Sequence, residues 1–484
     1  MIKNIKWILI ASIGIVSCSQ DEIDTSGVEP EVAVSAGTAD FSKYVALGNS
    51  ITAGYTDNAL FKSGQMNAYP KLMAEQFATV GGGEFKVPYM NDNVGGLLFG
   101  GMPNPRFGPR LVFTGTTSIP LPGGVSTTEV FGPPLTGGFN NMGVPGAKSF
   151  HLLAPGYGDV QGLAALPATA NPYFVRFASS ATASVLSDAM AQSPTFFSLW
   201  IGNNDVLGYA TTGGDGSDPI TPVNGLPGVG FDGTYGALIN TLTSAGAKGV
   251  VANIPDVASV PFFRTIPYNA ITLTEAQVTA LNAAYATYNG GLVAAGPAIS
   301  DTERARRTIN FVVGKNAPVI VDEYLTNLSG AGIPSYRQAT SEDYLVLLSQ
   351  GASTQAHLLA GNGTQFPLQD RWVLSKGEVD EIRAATAAYN TIIKNLADAK
   401  GLAFVDASAV LNQLASGGIL SGTYHFSNQY VQGGAFGLDG VHLTARANSY
   451  VANKFLEAIE KTYGASFKKY KPQDFPINYP AFLP

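Results

Sequence analysis

Two apolar patterns take turns along this chain: short, nearly continuous runs, and longer stretches with apolar residues every third or fourth position. The runs predict buried strands over Tyr44–Leu47, Thr195–Ile201, Gly249–Ile254 and Leu402–Val405. Helical spacing marks Pro70–Thr79, where Leu72, Met73 and Phe77 share a face and Pro70 suits a first turn. It also marks Ala181–Gln192, Tyr235–Ala245 and the long amphipathic stretch Leu443–Tyr463. Strand and helix in alternation are the signature of a parallel sheet covered by helices, an α/β fold.

Between these elements the periodicity dissolves twice. Gly81 to Asn140 is rich in Gly, Pro, Thr and aromatics, and a stretch that long reads as a structured insertion, not a plain loop. Ile299 to Asp370 reads as a second, mixed strand and loop. Ahead of it, Leu273-Thr274-Glu275-Ala276-Gln277 runs on to Tyr288-Asn289, and Leu374-Ser375-Lys376-Gly377-Glu378 runs on to Tyr389-Asn390. Both open with a capping box, Thr-x-x-Gln and Ser-x-x-Glu, so each predicts a helix start. The pair is either two well-capped helices or a duplication. Residues 466–484 form a Pro- and aromatic-rich tail without period, expected along the surface.

Composition narrows the function. The chain has 484 residues, 45% hydrophobic, with only 13% charged and a net charge of −7. Its basic clusters past the N-terminus, Arg304–Arg307 and Lys468–Lys471, are short. Nucleic-acid binding, which rests on neutralising phosphates, is therefore not expected. At the N-terminus Lys3 and Lys6 precede the apolar run Trp7–Val16, too short for a permanent membrane helix. That run ends in Ile15-Val16-Ser17-Cys18, which resembles a bacterial lipobox. The resemblance implies a signal peptide over 1–17, cleavage before Cys18, and lipidation of this single cysteine. Ser19, not Asp, follows it, which in the usual sorting pattern implies the outer membrane. Residues 18–39, acidic and rich in small residues, then read as a flexible tether to the membrane.

The candidate chemistry starts at the first strand. Tyr44-Val45-Ala46-Leu47-Gly48-Asn49-Ser50 breaks at Gly48 and delivers a serine at the carboxyl end of a strand, where open α/β sheets bind ligands. A serine nucleophile needs a base, a group to orient that base, and oxyanion donors. His442 is one of only four histidines, and Asp439 lies three residues ahead of it, within reach to hold the imidazole tautomer. Asn141-Met142-Gly143-Val144-Pro145-Gly146-Ala147 reads as a Gly-rich turn leading into a helix, with N–H groups free to bind an anion. Trp200-Ile201-Gly202-Asn203-Asn204-Asp205 closes a buried strand with an amide side chain.

Taken in this order, the four segments resemble the four sequence blocks of the SGNH hydrolases, the GDSL family of esterases and lipases. Ile254-Pro255-Asp256 with Pro261 resembles that family's turn after its fourth strand. The resemblance implies a flavodoxin-like three-layer α/β/α sandwich with a mainly parallel sheet, carried by one catalytic domain over residues 40–465 with insertions at about 81–140 and 299–370. It implies Ser50 as nucleophile and oxyanion donor through its N–H, and Gly146 and Asn204 as further donors. His442 becomes the general base and Asp439 its orienting carboxylate, with no cofactor or metal. One position departs from the family: Asn49 stands where Gly-Asp-Ser is usual. The sharp Gly-x-Ser-x-Gly elbow does not fit, because no Gly lies two residues after Ser50.

Residues so far apart in sequence must converge, which favours one domain over several. The expected reaction is ester hydrolysis through an acyl-enzyme on Ser50, with an acyl lipid or an acylated sugar as substrate. Leu97, Leu98, Phe99, Phe107, Phe113 and Phe131 in the first insertion form either an acyl groove or the insertion's own small core. A carbohydrate O-acetylesterase is the enzyme alternative. A non-catalytic glycan- or lipid-binding lipoprotein is the alternative of another class, and oligomeric state is not legible.

Overall fold

The computed structural model describes residues 33–347, 357, 358 and 360–483. Five strands form one sheet: β1 (Tyr44–Gly48), β2 (Asn141–Gly143), β3 (Phe196–Trp200), β4 (Lys248–Ala252) and β5 (Ala403–Val405). All neighbours run parallel, in the order β5-β4-β3-β1-β2. This is the doubly wound order whose direction of winding reverses between β1 and β3.

Each strand sends successive side chains to opposite faces, and two separate cores result. Val45, Leu47, Phe197, Leu199 and Val251 pack on one face. There they meet helices α3 (Val185–Ala191), α4 (Asn204–Thr211), α5 (Phe231–Leu242) and α7 (Lys376–Lys400). Tyr44, Ala46, Phe196, Trp200, Val250 and Val405 pack on the other, under α2 (Tyr69–Ala78) and α9 (Ala445–Tyr463). Strands buried on both faces are why the sequence shows near-continuous apolar runs there instead of alternation.

Boundaries moved where local caps decide them. The helix expected from Ala181 begins only at Val185, because Ser184 Oγ accepts from Ser187 N–H (3.1 Å) and starts the turn there. Thr444 likewise caps α9 by accepting from Ala447 N–H (3.0 Å). Asn141–Gly143, expected as a turn before a helix, is the edge strand β2. Its backbone pairs with β1, and only a 3₁₀ turn, Ser149–Leu152, follows.

At both expected starts the N3 side chain accepts from the cap N–H: Gln277 Oε1 from Thr274 (2.8 Å) at α6 (Glu275–Ala294), and Glu378 Oε2 from Ser375 (2.5 Å) at α7. The two helices differ in surroundings: α7 packs against the sheet, whereas α6 buries only Tyr285 and Leu292 and serves the second insertion. The pair behaves as two well-capped helices. The insertion accordingly begins earlier than Ile299, since Ile271–Leu273 pairs antiparallel with Gly314–Asn316. It has its own core around Ile309, Phe311, Val319 and Ile320. At its centre the fully buried Arg337 forks onto both oxygens of Asp343 (2.7 and 2.7 Å) and pairs with Asp322.

The two terminal segments are more engaged than expected. Ser35 bridges to Ser466, and Thr38 N–H donates to Tyr463 O (2.9 Å), so the tether is docked from about Ser35 onward. Cys18 and the stretch expected to be a signal peptide, 1–17, lie outside the described residues. The tail buries Phe467 and Tyr479. Arg110 of the first insertion, itself buried, donates to Pro480 O (2.6 Å) and Ala481 O (3.2 Å), clamping the tail to that insertion.

Candidate active site

β1 ends at Gly48, where a Cβ would meet Trp200 O at 2.5 Å, so a side chain does not fit against β3. Asn49 then caps the single-turn helix α1 (Ser50–Ala53), its Oδ1 accepting from Ile51 N–H (3.1 Å). This presents Ser50 in a first turn, where backbone N–H groups lack intrahelical partners. Asn49 is 1% exposed, and its Nδ2 donates weakly to Asn203 Oδ1 (3.5 Å). An aspartate there would cap equally well but could not make that donation.

His442 comes from the loop before α9. Its Nε2 lies 2.8 Å from Ser50 Oγ and its Nδ1 3.0 Å from Asp439 Oδ2. Burial would raise the Asp439 carboxyl, but the adjoining imidazole and the N–H groups of His442 and Asn58 hold it down at about 2. An ionised carboxylate only accepts, so Nδ1 carries the proton and Nε2 is left to accept from Ser50 Oγ–H. Asp439 Oδ1 accepts two more bonds, from Val441 N–H and His442 N–H (2.8 Å each). All the lone-pair directions of this carboxylate are thus engaged.

Oxyanion donors face the same space. Gly146 holds φ +81°, a left-handed conformation that favours glycine, and Asn171 Nδ2 pins the preceding Pro145 O (2.8 Å). Among the described residues, the N–H groups of Ser50 and Gly146 find no hydrogen-bond acceptor. Asn204 opens α4, and one N–H of its amide donates to Ala147 O (2.9 Å). That bond sets the side chain beside the Gly146 turn and leaves its second N–H to donate elsewhere. Asp205, next in sequence and buried, accepts from Ser149 N–H (2.8 Å) and Ser149 Oγ–H (2.6 Å), locking α4 to the same loop.

Ser50, Gly146, Asn204, Asp439 and His442 all line one cleft of about 440 Å³. Every site residue expected within the described stretch is therefore brought together at the β1/β3 reversal. The cleft's far wall brings Phe107 of the first insertion together with residues that no motif marked: Arg106, Lys148 paired with Asp218 (2.6 Å), and Thr211. Of the insertion's apolar residues, Phe107 alone reaches the cleft. Leu97, Phe99 and Phe107 pack with Leu60, Met90 and Tyr173 as a small core, and Phe113 and Phe131 are exposed.

A second opening at Ser50 and His442 is almost wholly apolar. It passes between the sheet's carboxyl edge and helices α8 (Ala407–Ser416) and α9, lined by Val405, Val410, Leu411, Leu414, Val451 and Phe455. No sequence motif marks it, because its residues come from three separate elements. Among the described residues no cluster of His, Cys, Asp and Glu is arranged to hold a metal ion. No helix among them is long and apolar enough to cross a membrane. No family model, curated protein or solved structure matches this chain.

Proposed function

We propose that the chain is a serine ester hydrolase of the SGNH/GDSL type, on a flavodoxin-like three-layer α/β/α sandwich. One observation carries this reading: the line Ser50 Oγ–His442 Nε2, His442 Nδ1–Asp439, at 2.8 and 3.0 Å, inside a cleft lined by unpartnered N–H donors. Ser50 Oγ attacks the ester carbonyl carbon while Nε2 takes its proton. The oxyanion is held by the N–H groups of Ser50 and Gly146 and the free N–H of Asn204. The tetrahedral intermediate collapses, and the alcohol leaves with the proton from Nε2. Water, deprotonated by the same nitrogen, then cleaves the acyl-enzyme and releases the acid.

The apolar groove beside Ser50 supports an acyl chain longer than acetyl, because each methylene moved there from water stabilises binding by about 0.8 kcal/mol. The polar wall of the wider cleft, with Lys148, Asp218 and Thr211, supports a hydroxylated or charged alcohol. That wall also favours the second reading, a carbohydrate O-acetylesterase. Hydrolysis of p-nitrophenyl esters from acetate to decanoate, with acetylated sugars alongside, separates them. The expected result is kcat/KM rising from acetate to octanoate. Val410→Phe, which fills the groove, should lower it about tenfold for octanoate and leave acetate unchanged. A preference for acetate would move the assignment to the acetylesterase. No turnover of any ester would leave a binding lipoprotein.

The lipobox supports a further part of the reading, a mature chain anchored through Cys18 to the outer membrane. Radiolabelled palmitate should enter the wild-type protein and not Cys18→Ala. Equal labelling of both would remove the anchor.

A further inference from the structure

Behind the Ser50–His442–Asp439 line lies a second buried carboxylate, Asp57, that the chemistry above does not use. Thr56 and Ala59 exchange backbone hydrogen bonds (3.1 and 3.0 Å) around Asp57 and Asn58, whose φ values are +51° and +63°. Two consecutive left-handed residues form the tight reverse turn whose twist suits a hairpin. Asp and Asn are the side-chain-bearing residues that visit this region most readily.

The turn and the loop carrying Asp439 and His442 hold each other crosswise. Asp57 Oδ1 accepts from Leu438 N–H (2.7 Å), and Asp439 Oδ2 accepts from Asn58 N–H (2.9 Å). That same Oδ2 orients the imidazole, so the turn fixes the oxygen on which His442 is hung. Tyr55 adds a third contact: its ring lies 4.7 Å from the His442 ring, and its hydroxyl donates to Asn58 O (2.7 Å). The two segments meet without a gap at Gly437, where a Cβ would approach Thr56 Oγ1 at 2.5 Å and Asp57 Oδ1 at 2.9 Å.

We propose that Asp57 is a positioning residue for His442, fixing the Asp439 loop against the Ser50 segment and setting the charge behind the imidazole. The inference rests on the hydrolase reading for its kinetic part only. Asp57 is 1% exposed. The titratable groups acting on it are Asp439, Arg110, Tyr430 and Tyr479. Burial and the neighbouring Asp439 charge push the Asp57 carboxyl up to about 7, against the pull of Leu438 N–H and Arg110. Arg110 spends its guanidinium on carbonyls of Asn93, Pro480 and Ala481, so it does not neutralise Asp57 by direct pairing. Of two carboxylates in one buried pocket, Asp439 stays ionised and Asp57 takes the proton at acid pH. A second negative charge therefore builds behind His442 as pH rises through neutrality.

Asp57→Asn keeps an acceptor for Leu438 N–H and abolishes the ionisation, whereas Asp57→Ala removes both. Two readouts decide the matter. One is the NMR titration of the His442 Cε1–H resonance, assigned by its loss in His442→Gln, which needs no substrate. The other is kcat and KM against pH on the best ester. Asp57→Ala should lose about tenfold or more in kcat with KM little changed, as misplacement of a base does. Asp57→Asn should recover kcat to within about threefold, and the displacement of the His442 resonance that Asp57 ionisation imposes as pH rises through neutrality should vanish. A resonance displacement through neutrality that persists in Asp57→Asn, or unchanged kcat in Asp57→Ala, overturns the proposal. If Asp57→Ala does not fold, Asp57→Asn decides it alone. If no ester is turned over, the resonance still answers, so the two readings fail separately.

Discussion

Ser50→Ala should lose about 10⁵–10⁶-fold in kcat on every ester the wild type cleaves, with its melting temperature within about 2 °C of wild type. The Ser50 hydroxyl makes one hydrogen bond, to His442 Nε2, so its removal costs about 1 kcal/mol at most in folding. The loss in rate is far larger because, among the described residues, Nε2 has no other hydroxyl within hydrogen-bond distance. Some acceleration over water, about 10³-fold, should survive, because Gly146 and Asn204 still polarise the bound carbonyl. Replacing His442 as well should cost little more, since a base without its nucleophile has no proton to take. Steady-state kinetics on the two single variants and the double variant measure this directly. A Ser50→Ala protein retaining a tenth of wild-type kcat would show that the nucleophile is elsewhere.

The parts of the site that were legible in sequence are those whose geometry is local. Ser50 follows a buried strand that breaks at Gly48. Asp439 and His442 sit three residues apart, and Asn204 ends a run of apolar residues. Each of these is set by a few neighbouring positions, so each leaves a short pattern. β2 was read as a turn because only three residues pair, two of them Asn and Gly, and its strand character comes from lying beside β1. The second insertion's true start was hidden for the same reason: Ile271–Leu273 is a strand only because Gly314–Asn316 pairs with it. Asp57 left no signal at all. Its contact with Leu438 spans 381 positions, and a lone Asp in a turn has many ordinary explanations. The apolar groove is likewise a property of three surfaces meeting, while of the insertion residues that suggested one, Leu97, Phe99 and Phe107 pack in the insertion's own core.

Asp439→Asn should cost about 10⁴-fold in kcat, and the reason lies in which atoms point at which oxygen. Oδ1 of Asp439 accepts two backbone N–H groups, from Val441 and His442. An asparagine must keep its oxygen there, because an NH₂ would face two donors. Its NH₂ is then turned toward His442 Nδ1 and Asn58 N–H, where Oδ2 stood. Nδ1 becomes an acceptor, the proton moves to Nε2, and the imidazole now presents a hydrogen to Ser50 where it must present a lone pair. Asn58 N–H also loses its acceptor, which should cost about 1–3 kcal/mol of stability at neutral pH. That cost is itself pH-dependent. The native carboxyl is held below its unfolded value, at about 2, so its stabilisation is complete above about pH 4 and fades as pH falls through 2. The difference in stability between wild type and Asp439→Asn should therefore be largest at neutral pH and narrow on acidification. Kinetics and denaturation across pH test both halves, and a kcat loss under about tenfold would end Asp439's role as the orienting group. Set beside Asp57→Asn, the same substitution in the same pocket, the pair separates two effects. Only Asp439 touches the imidazole, so only its amide can invert the tautomer, whereas the amide at Asp57 changes the field and leaves the proton where it is.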